Sequence, residues 1–199
     1  MQEPLPPILI PFELHGWKPD PNLSDDENYI DLVLLLTRNS TCRQGHMACI
    51  IVRPQRENDS GILDRVIAAA NNSSVYKERD SDNHAEINAL GEAAKHGRST
   101  LGASAVITMP PCRRCFGALL ASGIMKIITT KEFLEPVSSA AKRENIEITV
   151  MDVKAAFQRT SQYISKPDRS QIDAERNIRK IEEKDRKMRR QLKLQELKL

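Results

Sequence analysis

The chain has 199 residues, 40% of them hydrophobic and 29% charged, which is enough for one globular domain with a core and some appended segments. Its formal net charge is +3, yet residues 165–199 hold 12 Lys and Arg against 7 Asp and Glu, so the basic character lies in the carboxy-terminal tail. No apolar run approaches the roughly twenty residues of a membrane span and no amino-terminal signal peptide is legible, and two of the four cysteines form a Cys-x-x-Cys. This excludes a membrane role and points to thiolates and metal in a reducing compartment rather than to disulfides.

Residues 1–23 hold six of the eleven prolines and read as an extended arm, in which Ile8, Ile10, Phe12, Leu14 and Trp17 are costly to leave in water. A first helix is expected in "SDDENYIDLVLLLTRN", where Ser24 and Glu27 form a capping-box pattern. Its run "YIDLVLLL" contains Asp31 and is too short to span a bilayer, so it reads as a buried helix. "HMACIIV" reads as a central strand, and "GILDRVIAAA" as its antiparallel neighbour across a polar hairpin. Then follow a helix in "AEINALGEAAKHG", a strand in "ASAVITM", a helix in "CRRCFGALLASG", a strand in "MKIITT", a helix in "VSSAAKREN" and a strand in "IEITVMD".

Strands alternating with helices predict parallel neighbours joined by right-handed crossovers. The expected fold is α/β, a three-layer α/β/α sandwich on a five-stranded mixed sheet, occupying residues 24–164. Residues 165–199 form a charged tail with Ile178, Ile181, Met188 and Leu192 at helical spacing. That tail is expected to be a basic helix that packs on the domain or a partner chain, forms a short coiled coil, or serves as an arm for nucleic acid, and its "RKMRRQLK" also fits a nuclear-import patch. The expected location is the cytoplasm or the nucleus.

Three metal-ligating side chains converge in this layout. His84, Cys112 and Cys115 each fall in the first turn of a helix that follows a strand or loop at one edge of the sheet. Cysteines at i and i+3 share a helix face, and the positive end of a helix is expected to lower the thiol pKa. One imidazole and two thiolates supply three ligands to a tetrahedral zinc, and the open fourth position marks a catalytic site that holds water. Glu86, two residues past His84, then has a natural role as the general acid/base that moves protons between water and substrate. A purely structural zinc would need a fourth ligand, for which only His96 and Cys49 are near in sequence.

In this order, with Pro111 directly before Cys112, these residues match the H-x-E and P-C-x-x-C pattern of zinc nucleobase deaminases. "HAEINALGEAAKHG", "PPCRRCFGALLASGIMKII", "RNSTCRQGHMACIIV" and "VIAAANNSS" resemble the zinc-dependent cytidine/deoxycytidylate deaminase superfamily over about residues 27–152, and most of all its deoxycytidylate branch. The resemblance implies that activated water attacks ring carbon four of cytosine, that Glu86 shuttles protons to the ring and the departing amine, and that His84, Cys112 and Cys115 hold one Zn2+ per chain. It also implies that Asn72, in "ANNSSV", contacts the sugar or base, with Asn71 beside it.

Two departures from that branch stand out. "VYKERDSDN" is short and has neither Cys nor His, so a second zinc is not expected there, and Ala48 replaces a Gly usual in the first strand. The expected activity is conversion of a cytosine nucleotide to its uracil form, dCMP to dUMP first, with release of ammonia. The alternatives are a polynucleotide deaminase acting on tRNA adenosine or on cytidine in RNA or single-stranded DNA, and a non-catalytic partner subunit of the same fold. The superfamily resemblance further implies a homo-oligomer or hetero-oligomer. Arg113 and Arg114 read as solvated helix residues or as phosphate contacts and Cys49 and Cys42 as buried small side chains, while His46, just before the first strand and within reach of a substrate, is assigned no role.

Overall fold

The computed structural model describes residues 14–42, 45–76, 80–163 and Met188. The chain divides into two units, Met1–Ile164 and Ser165–Leu199. Apart from Met188, the expected tail helix lies outside the described residues, as does the arm before Leu14.

Helix α1 (Asp25–Leu36) starts where its sequence dictates. Ser24 Oγ accepts from the Glu27 N–H at 3.3 Å, and the Glu27 carboxylate accepts from the Ser24 N–H at 2.9 Å. This box satisfies two donors that a helix start otherwise leaves unpaired, and Asp25, Asp26 and Glu27 set negative charge against the positive end of the helix. From Asn28 to Leu36 every residue of α1 is buried. A helix apolar all round must be covered on all sides, and α1 is: the sheet lies on one side, Trp17 joins its core, and a carboxy-terminal helix packs on it.

Five strands form one sheet: β1 (Ala48–Val52), β2 (Val66–Asn71), β3 (Ser104–Ile107), β4 (Lys126–Thr129) and β5 (Glu147–Val150), in the spatial order β2-β1-β3-β4-β5. β1 is antiparallel to both β2 and β3, whereas β3, β4 and β5 are parallel. Each parallel step needs a crossover, supplied by α3 (Arg113–Ala121) and α4 (Val137–Arg143), and α2 (Ala85–Lys95) links β2 to β3.

Alternation along the strands sorts the core into two layers. Cys49, Ile51, Ala105, Ile107 and Ile127 face α2, α3 and α4, while Ala48, Ile50, Val52, Val106 and Ile128 face α1. Fully buried residues such as Leu32, Leu35 and Ile50 contribute roughly 2 kcal/mol each through burial. This is the three-layer sandwich expected from the sequence.

The structure differs from the expected elements in two places. Residues Ile62–Arg65, expected as strand, form a tight 3-10 turn, because the Tyr29 hydroxyl donates to the Ile62 carbonyl at 2.9 Å and the Asp64 carboxylate accepts from the Ser60 N–H at 2.8 Å. A helix that the sequence reading did not place, α5 (Val153–Thr160), follows β5. The Asp152 carboxylate caps it by accepting from the Lys154 N–H at 2.8 Å. Its Arg159 binds Asp31 of α1 through two hydrogen bonds of 2.7 and 2.8 Å.

The topology decides where the site must form. Since β1 runs antiparallel to both β2 and β3, those two strands point the same way and end at one edge of the sheet. The segments leaving that edge lead into α2 and α3, so two helix amino termini meet there. α3 stops at Gly123, whose φ of 79° and whose closeness to Leu101, 3.1 Å from an added Cβ to the Leu101 Cα, exclude other residues without strain.

Candidate active site

His84 is the amino-terminal cap of α2 and Cys112 that of α3, and neither side chain makes a capping hydrogen bond. Helix caps favour Ser, Thr, Asp or Asn because their oxygens satisfy the free N–H groups. An imidazole and a thiol at these positions give up that contribution and turn toward each other. His84 Nδ1 lies 3.8 Å from Cys112 Sγ and 3.4 Å from Cys115 Sγ, and the three ligand atoms all lie within 4.8 Å of one another. Ordinary Zn–N and Zn–S bonds at tetrahedral angles set N and S about 3.6 Å apart and the two sulfurs about 3.8 Å apart. The donor set fits a zinc ion with one coordination position left over.

No fourth ligand joins this group among the described residues. His96 is exposed at the end of α2 with its Nε2 3.0 Å from Glu92, and Cys49 is fully buried in β1. Neither supplies the fourth ligand that a closed structural site would need.

The expected fall in thiol pKa is not what Cys115 shows. Burial pushes the Cys115 thiol well above its ordinary value, and the Glu86 carboxylate beside it adds to the rise. Cys115 is the third residue of its helix turn but faces the core, where desolvation outweighs the helix dipole. Glu86 is itself 5% exposed, and burial likewise raises its pKa, although its own backbone N–H and the neighbouring Cys115 thiol pull the other way. The position of Glu86 in the first turn of α2 thus sets a carboxyl group directly behind the thiol and imidazole donors.

A cavity of about 400 Å3 opens at this point, and Glu86, His84 and Cys112 line one side of it. Ile107 at the end of β3 and Met109 and Pro110 from the β3–α3 connection form an apolar wall, and Gly45, Met47, Asn72, Ser81 and Ala85 complete the lining. Pockets of this size with a few convergent polar groups are the usual form of small-molecule sites. Arg113 and Arg114 are exposed and lie outside the lining, as does His46, whose Nε2 is 2.8 Å from the Cys42 carbonyl.

Asn72 falls in the cavity wall but is 2% exposed, and every hydrogen-bonding position of its amide is in use. Its Nδ2 donates to the Gly45 carbonyl and to Ser81 Oγ, both at 2.8 Å, while its Oδ1 accepts from the Met47 N–H at 3.0 Å and from the Ser40 hydroxyl at 2.8 Å. Neighbouring Asn71 points elsewhere, donating to the carbonyls of Leu36 and Met47. Asn88, one turn after His84, donates to the Asn71 carbonyl at 2.7 Å and to Ser73 Oγ at 2.9 Å, which ties α2 to the end of β2. Cys42 is buried with its Sγ 3.5 Å from the Asn72 and Asp80 carbonyls.

Sequence reasoning did not pick out Met47, Ser81, Met109 or Pro110. All four lie beside strand ends or in loops, where no periodicity marks the inward face, although Met109 and Pro110 directly precede the cysteine motif.

Comparison with known proteins agrees with this geometry. Residues 23–131 match the family model for the cytidine and deoxycytidylate deaminase zinc-binding region. The deoxycytidylate deaminase of Enterobacteria phage T2 is 40% identical over 70 residues, which cover 34% of this chain and 37% of that protein; the chain therefore matches only about a third of the length of this curated relative. The apo crystal structure of dCMP deaminase from cyanophage S-TIM5 shares the fold with a TM-score of 0.52 and 23% identity, over 63% of this chain and 96% of that one. NE0047, crystallised with 2,6-diaminopurine, is 27% identical with a TM-score of 0.51, over 71% of this chain and 82% of its own. The family match covers more than half of the chain and contains all three donors of the zinc-fitting cluster, and on that basis the chain belongs to the cytidine and deoxycytidylate deaminase zinc-binding family.

Proposed function

We propose that the protein is a zinc-dependent hydrolytic deaminase that converts a cytosine nucleotide to its uracil form, with dCMP as first substrate. The observation that carries this reading is the placement of Glu86: a buried carboxyl lining the cavity, in contact with Cys115 and beside His84. A site that only held the fold together would have no use for an acid there. The 40% identity to a phage deoxycytidylate deaminase supports the choice of substrate.

His84, Cys112 and Cys115 hold the metal in this reading. Bound zinc supplies Lewis-acid chemistry, lowering the pKa of water at the fourth position. Glu86 would take a proton from the attacking water, whose oxygen forms a bond to the amine-bearing ring carbon, and deliver it to the ring nitrogen beside that carbon. It then carries the second proton to the amine, which departs as ammonia. Burial favours this work, since a carboxyl whose pKa is raised is the stronger proton acceptor. The apolar wall of Ile107, Met109 and Pro110 packs against the flat face of the base and excludes bulk water.

A second reading takes a purine base as substrate, favoured by the likeness to NE0047, whose crystals hold 2,6-diaminopurine. One screen separates the two. The zinc-loaded protein is assayed for ammonia release from dCMP, CMP, deoxycytidine, cytidine, guanine and an unmodified tRNA pool. Turnover of dCMP ahead of the others supports the first reading, turnover of guanine the second, and turnover of tRNA alone would move the function to polynucleotide editing.

A further inference from the structure

The four hydrogen bonds of Asn72 have a logical consequence for Ser81. The orientation of the Asn72 amide is fixed by two backbone partners: Oδ1 must be the atom that accepts from the Met47 N–H, and Nδ2 the atom that donates to the Gly45 carbonyl. The remaining Nδ2 hydrogen points at Ser81 Oγ at 2.8 Å, so Ser81 is the acceptor in that bond. Its own O–H hydrogen is left to donate elsewhere, and among the described residues no acceptor takes it. Ser81 lines the cavity and is exposed, whereas Asn72 behind it is 2% exposed.

We infer that Ser81 is the specificity contact of the site, donating its hydroxyl hydrogen to an acceptor oxygen of the bound substrate, and that Asn72 is a positioning residue that aims it. This rests on the deaminase reading above. Three features of the site support it. A hydroxyl that already accepts from a charge-neutral amide is polarised and is the better donor for it. Its direction is fixed, because Asn72 is itself held by Gly45, Met47 and Ser40, three anchors in one connecting segment. The side chains of Ile107, Met109 and Pro110 in the wall are apolar, so Ser81 is the hydroxyl donor that a sugar oxygen or a base carbonyl can meet there. The Asn72 amide has no free position for the substrate unless one of these bonds breaks, and the Ser81 hydroxyl supplies a donor without that cost.

The test uses the full zinc-loaded chain and compares wild type with S81A and S81T on dCMP, together with product inhibition by uracil, deoxyuridine and dUMP. Loss of one neutral hydrogen bond made equally in ground and transition states raises KM about three- to tenfold and leaves kcat within about twofold. S81T keeps the hydroxyl and is expected to restore the wild-type KM. Weaker inhibition of S81A by deoxyuridine and dUMP, but not by uracil, identifies a sugar oxygen as the acceptor; weaker inhibition by all three identifies the base carbonyl. In wild type the Asn72 side-chain NH2 resonances should also shift when dUMP is added. A wild-type enzyme that turns over dCMP while S81A matches it in KM and in all three inhibition constants overturns the inference alone. So does an S81A defect that S81T fails to rescue, since that would be a disturbed loop. A wild-type protein that neither deaminates dCMP nor binds its products overturns the deaminase reading, and the inference with it.

Discussion

The Glu86 carboxyl and the Cys115 thiol lie close enough to act on each other's titration, and burial holds both above their ordinary pKa values. A thiol raised in this way is protonated in the metal-free protein near neutral pH, yet zinc takes only the thiolate. Binding must therefore expel a proton from Cys115. The zinc association constant is expected to rise with pH, by about tenfold per unit for each proton displaced. Calorimetric titration in buffers of different ionisation enthalpy would measure the release directly, and binding without proton release would contradict the assignment of Cys115. C115S is expected to lose stoichiometric zinc under the same conditions.

Helix α1 depends on its cap. S24A removes the acceptor for the Glu27 N–H and one end of the capping box, and the expected cost is about 1 kcal/mol in urea denaturation. An unchanged midpoint would show that burial of the rest of α1 overrides its first turn.

The Asp31–Arg159 pair joins residues 128 positions apart, and Asp31 keeps only 3% of its side chain exposed. R159Q leaves that carboxylate buried without its cation, at an expected cost of about 2 kcal/mol, below the fully buried case because Arg159 is 27% exposed. The pH dependence follows from the direction of the shift. Burial holds Asp31 above the ordinary carboxylate range despite Arg159, so the fold penalises its charged form. The stability contributed by such a group is fully present below its unfolded pKa and is lost as pH rises through its folded value. Without Arg159 the folded value rises further, so the R159Q penalty should be larger at about pH 7.5 than at about pH 4.5. A penalty independent of pH would mean that lost packing, not the unpaired charge, causes it.

The sandwich and the metal cluster were legible in the sequence for a common reason. Alternation in "ACIIV" and the cap-to-glycine pattern of the helices are local signals, and His84, Cys112 and Cys115 carry chemistry that few other patterns share. Helix α5 was not picked out because it is only eight residues long and buries only Ala156 and Thr160; what docks it includes Arg159, whose partner lies far away in sequence. The lowered thiol pKa was expected from the helix dipole alone, and the burial of Cys115 that reverses it is a tertiary fact. The hydrogen-bond partners of Asn72 were hidden similarly, since a motif position shows which residue stands in the wall but not that Ser40, Gly45, Met47 and Ser81 engage its amide.

The measurement that bears most directly on the account is kcat/KM for dCMP in E86Q beside wild type, with zinc content determined in both. Gln keeps the size of the side chain and removes its capacity to accept a proton. The account predicts one zinc per chain in each protein and a loss of at least about a hundredfold in kcat/KM for E86Q, the range for a general acid/base. Wild-type turnover that survives in E86Q with full zinc would contradict it.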